Sequence, residues 1–170
     1  MIGSRLWVAN WIRIMLHQFD FYRLRDGEFA ESAILIAEKV LVNSDKLLIL
    51  APETKLTELS LRLWSDKNDS FLAHGMGDED VSDYAPIWLA SLEQDNPISA
   101  NYVMLTNGVS LEDFSAFKRV FNLFDGSSQI AMEQARKQWR NWSSNPEHVC
   151  RYFTQSESGA WQHLASNTKD

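Results

Sequence analysis

The sequence predicts an α/β protein, a three-layer Rossmann-like fold with a mainly parallel central sheet, and three observations carry that expectation. Short runs of strand length recur between longer stretches of helical periodicity, the pattern left by strands joined through crossover helices. One run, Lys46 to Ala51, is apolar without alternation, as in a strand buried on both faces. The chain has 170 residues, 45% of them hydrophobic, with seven Gly and four Pro, which suits one sizeable core and leaves little material for linkers.

Taken in order, Phe19 to Leu24 alternates apolar and polar residues and reads as a strand closed by Asp26-Gly27. Ala30, Ala33, Ile34, Ala37, Val40 and Leu41 then share one face of a helix from Glu28 to Val42, stopped by Asn43-Ser44-Asp45. After the Lys46 strand, Pro52 stands in the first turn of a second helix that runs to Trp64 and turns Leu56, Leu59 and Leu63 inward. Strand, helix, strand implies a right-handed crossover and a parallel pair. Asp66 to Tyr84 has no periodicity and reads as an acidic loop. Pro86 to Ala90 and Tyr102 to Leu105 are strands, with Asn96-Pro97 as the turn between them. A short helix is expected over Leu111 to Phe117, a strand over Val120 to Phe124, and a helix over Ser127 to Trp142 capped by Asp125 or Ser127. Val149 to Thr154 is the last expected strand, so one domain spans 18–165 and residues 166–170 form a polar tail.

Residues 1–17 form an N-terminal extension with Trp7, Trp11, Arg5 and Arg13. The stretch is too short and too charged for a membrane span, and no small-residue cleavage site follows it. Three readings stay open: residues preceding a native start at Met15, an additional helix, or an amphipathic helix on a membrane surface.

Composition removes several classes of function. A net charge of −7 argues against broad contact with a phosphate backbone, which draws on a basic face. The single Cys150 rules out an internal disulfide and suits a reducing, cytoplasmic setting; within a strand it reads as a buried, inert thiol. No glycine-rich phosphate loop follows a strand, and His17, His74, His148 and His163 have no ligand spacing, so neither cofactor nor metal is expected. His74 reads as a turn residue bonded to backbone.

Two clusters remain. Asp78, Asp80 and Asp83 offer the enzymatic alternative, a small magnesium-dependent phosphoryl-transfer enzyme or nuclease. Arg136 and Arg140, one helical turn apart beside Trp139, offer a binding surface instead. From Phe117 to Arg140 there are five basic residues (Lys118, Arg119, Arg136, Lys137, Arg140) against Asp125 and Glu133, a local excess of +3. An Arg fork can pair with a carboxylate while a neighbouring pocket buries a ring.

The order of several short motifs resembles one family. Phe21-Tyr22-x-Leu24, the stretch from Leu63-Trp64 to Phe71-Leu72-x-His74-Gly75, Arg119 to Asp125, and Ala135 to Arg140 are similar to the chi subunit of the bacterial DNA polymerase III holoenzyme, an accessory of the clamp loader. Ala73 stands where that family commonly has Pro, and residues 1–17 have no counterpart. The resemblance implies a non-catalytic adaptor linking the clamp loader to single-stranded-DNA-binding protein. It assigns Phe71, Phe124, Arg136, Trp139 and Arg140 to docking that protein's acidic, Phe-ending C-terminal tail, and Trp64 to the psi subunit or clamp-loader interface. A stand-alone interaction module outside replication is a further reading.

Overall fold

The computed structural model describes residues 16–25, 29–65, 71–93 and 95–168. The expectations for residues 1–15, for Asp26-Gly27 as a strand stop and for the polar turn 66–70 lie outside these.

Among the described residues eight strands and three helices follow one another, two strands more and one helix fewer than expected: β1 His17–Leu24, α1 Phe29–Val42, β2 Leu47–Leu50, α2 Glu53–Ser65, β3 His74–Met76, β4 Ile87–Ala90, β5 Tyr102–Leu105, β6 Arg119–Asp125, α3 Gln129–Ser143, β7 His148–Gln155 and β8 Trp161–Ser166. They form one sheet in the order β3-β4-β2-β5-β6-β1-β7-β8. Every neighbouring pair is parallel except β7 and β8, which run antiparallel. β1 and β2 are parallel but not partners, because β5 and β6 lie between them.

The pleat sorts side chains onto two faces. Tyr22, Leu24, Leu47, Ile49, Leu89, Met104, Phe121 and Leu123 turn to α1 and α2, packing on Ala33, Ile34, Ala37, Leu59 and Leu63. Phe19, Phe21, Leu48, Leu50, Val103 and Phe124 turn the other way, to Ala135 and Trp142 of α3 and to Ile98, Leu111 and Phe117 of the flanking connections. All four residues of β2 and of β4 are buried, which is why β2 shows no alternation in the sequence.

Four expectations need correcting. Leu111 to Phe117 is not helical; Leu111, Phe114 and Phe117, three apart, instead pin an irregular segment on the sheet. β3 forms inside the supposed loop, where His74 and Gly75 pair with Ile87 and Trp88. β7 is not the last strand, since β8 returns beside it and Asn167 bonds both the Cys150 amide and the His148 carbonyl oxygen. The cap of α3 is Ser128, whose Oγ accepts from the Ala131 amide; Asp125 holds Ser127 instead.

Candidate functional site

The sheet-facing residues of α3 recur at helical spacing, Met132, Ala135, Trp139 and Trp142. Trp142 stacks on Phe19 and Trp139 meets Phe21 edge-on at 5.3 Å. These contacts leave an open cavity of about 490 Å³ between α3 and the strands β6, β1 and β7. Phe21, Phe124 and Tyr152 form its floor, and Phe124 and Tyr152 stack at 6.3 Å. Met132, Ala135, Arg136, Trp139 and Arg140 form the helix wall, and Ala165 of β8 borders the mouth.

Arg23 completes the ring, and sequence reasoning missed it. It follows Phe21 on the same face of β1, and its Nη2 reaches the Gly126 carbonyl oxygen at 3.4 Å. Gly126 makes room for this: a Cβ there would lie 2.6 Å from both the Leu24 carbonyl oxygen and the Arg23 Nε. The usable signal was strand parity, since a residue two along from an inward Phe shares its face. Among the described residues Arg23, Arg136 and Arg140 enter no ion pair, and no carboxylate lines the cavity. The groove thus joins three guanidinium groups to an aromatic floor, the chemistry suited to an acidic peptide ending in a ring.

Arg119, counted with this basic group in the sequence, points to the opposite face. Its Nε donates to Asp20 at 2.7 Å, while the Nε and Nη2 of Arg151 donate to the two Asp20 oxygens at 2.8 and 2.9 Å.

Phe71 is also separated from the groove. It stacks nearly parallel on Trp64, with ring centroids 5.4 Å apart, immediately before β3. β3 lies four ladder steps from β6 and five from β1, about 20 Å or more across the sheet. Leu72 beside it belongs to the core on the α1 and α2 face. Phe71 therefore belongs with Trp64, and Phe124, Arg136, Trp139 and Arg140 form the groove without it.

Trp64 and Phe71 are 47% and 64% exposed, and Leu61 on the same helix is 63% exposed, so this is an aromatic patch rather than core. Beneath it His74 sits on β3, 4.7 Å from the Trp64 ring, with Nδ1 donating to the Leu72 carbonyl oxygen and Nε2 bonded to the Ser60 hydroxyl. Burial pushes the His74 pKa below its ordinary value. The bond to backbone matches the sequence reading, although the residue lies in a strand and not a turn.

Asp78, Asp80 and Asp83 are exposed, and among the described residues no three His, Cys, Asp or Glu side chains converge to hold a metal ion. Cys150 is fully buried, and burial with the Asp20 charge pushes its pKa up to about 12, so its thiolate is not accessible to chemistry. Among the described residues no helix is long and apolar enough to cross a membrane.

Fold and surfaces together define a three-layer α/β domain that presents an arginine-rimmed groove and a separate aromatic patch. The family description that matches the chain is DNA polymerase III chi subunit, HolC, over residues 16–146. The chain belongs to that family, and membership makes it an accessory subunit of the DNA polymerase III complex. No individual curated protein matches it in sequence.

Proposed function

We propose that the groove docks the acidic C-terminal tail of single-stranded-DNA-binding protein, making this chain a non-catalytic adaptor between that protein and the clamp loader. The observation that carries the reading is three arginines that enter no ion pair among the described residues, set around an apolar floor in a chain whose net charge is −7. The last ring of the tail lies over Phe124, Trp139 and Tyr152. Arg136 forks onto its terminal carboxylate, and Arg23 and Arg140 face the acidic residues upstream. Binding is through protein, without direct sequence-specific contact to nucleic acid.

The test is a titration with a peptide of the last ten or so residues of that tail, beside the same peptide lacking its final Phe. Arg136→Ala should cost about 2 kcal/mol, or some thirtyfold in affinity. Arg136→Lys should recover part of this, because an ammonium keeps the charge without the planar fork. Equal binding of the two peptides, or undiminished binding by Arg136→Ala, would refute the assignment.

The stacked, exposed pair Trp64 and Phe71 supports a second surface, for the psi subunit or another clamp-loader subunit. Large aromatics of this kind anchor interfaces. Its distance from the groove lets both partners bind at once.

A further inference from the structure

We propose that the face of the sheet under α1 carries a second ligand site, one that takes a small oxyanion, phosphate or carboxylate, borne on a flat apolar body. The side chain of Asp20 is fully buried, yet two guanidinium groups and the Gln18 amide all donate to it. One carboxylate neutralises one arginine, so the cluster keeps a surplus positive charge on side chains only about a third exposed, 31% for Arg119 and 32% for Arg151. A charge partly withdrawn from water in this way favours a counter-ion.

The geometry shows where that ion would sit. Arg119 and Arg151 each turn Nε and Nη2 to Asp20, which leaves Nη1 of both free of it. Each guanidinium lies over a ring, Arg119 over Phe121 at 4.7 Å and Arg151 over Phe153 at 5.3 Å from the ring centre. Arg119, Phe121 and Phe153 line a cavity of about 210 Å³ with Tyr22, Tyr102 and Trp161. Lys39 stands at its rim and makes no ion pair among the described residues. Asp45 also lines the cavity and bonds Tyr102. Of the charged residues that line the cavity, Lys39 and Arg119 outnumber Asp45 and leave net +1, and the Arg151–Asp20 pair outside the lining adds nothing to that balance. At about 30 Å³ per water, the space equals roughly seven waters, enough for one aromatic ring with its oxyanion. The site lies on the face of the sheet opposite the peptide groove and does not depend on what that groove binds.

The probes are phenyl phosphate, benzoate and uncharged benzamide, titrated into the full chain while the indole N–H resonance of Trp161 is followed by NMR. Both anions, or one of them, should give a saturable shift in the millimolar range, as fits ligands of about ten atoms. Whichever anion binds tells phosphate from carboxylate recognition. Benzamide should give none. Arg119→Gln should abolish the shift, and Lys39→Gln, on an exposed side chain that leaves folding intact, should weaken it about threefold, the effect of one exposed charge. No saturable shift with either anion, an equal response to benzamide, unchanged binding by Lys39→Gln, or undiminished binding by a folded Arg119→Gln would overturn the proposal. Tail-peptide affinity, measured on the same samples, should be unaffected throughout.

Discussion

Replacing Trp64 by Ala tests whether the aromatic patch is surface or scaffold. A fully buried Trp truncated to Ala costs about 3–5 kcal/mol. Trp64 is 47% exposed, so about half of that contact is at stake, and the stacking on Phe71 and the approach to His74 are part of it. The expected loss is about 2 kcal/mol, a fall in Tm of about 4–8 °C for a domain of this size. Denaturant unfolding should show a lower midpoint with an unchanged slope. In the same samples the groove should bind tail peptide within about twofold of the unaltered chain, since the two surfaces lie about 20 Å or more apart and distant sites behave additively. Capture of a psi or clamp-loader subunit should fall tenfold or more if the second surface is as proposed. A stability loss above about 4 kcal/mol, with groove affinity dropping in parallel, would show that Trp64 holds the fold and would refute the separation of surfaces.

Three more outcomes are expected. Gly126→Ala would drive a methyl group against the Leu24 carbonyl oxygen and Arg23, both 2.6 Å away, so tail affinity should fall more than an Arg23→Ala change alone explains, as the same titration would show. Asp20→Ala strands two guanidinium groups and should cost about 3 kcal/mol by chemical denaturation, part of the cost relieved because both arginines reach solvent. His74 has a folded-state pKa lowered from 6.5 by burial, so the folded state holds it neutral while the unfolded chain takes up the proton first. Its contribution is complete above pH 6.5 and is lost as pH falls through the folded value; thermal melts from pH 7.5 to 5 should decline more steeply for the unaltered chain than for His74→Gln.

Most of the architecture was legible because burial writes itself into spacing. The unbroken apolar run of β2 and the 3.6-residue period of α1 and α3 came through within a residue or two. β3 did not, being three residues long with His74 and Gly75, neither of which favours strands, held there by pairing with β4. β8 is largely exposed, so it carries no apolar alternation to read. Leu111, Phe114 and Phe117 imitate a helical face because three-residue spacing also serves a chain lying irregularly on a core. At the groove, Arg136, Trp139 and Arg140 were legible from α3 alone. Arg119 was misplaced and Arg23 overlooked for one reason: charge counted along the chain ignores which face of the pleat a strand residue takes. Phe71 was misassigned because neighbouring aromatics do not reveal the partner on which each will stack.

β1 lies between β6 and β7, so the groove floor joins the beginning of the domain to its end; Asp20 and Arg151, across the same ladder, are 131 positions apart. Neither the groove nor the arginine cluster beneath it can exist on a ribosome-bound chain until β7 has emerged and docked, and such long loops close late in folding. A prematurely terminated copy would still carry α2 and the Trp64 patch but would lack the groove floor. If the groove and the patch serve as proposed, competence to bridge two partners is acquired last, and an incomplete chain is at most a one-ended connector.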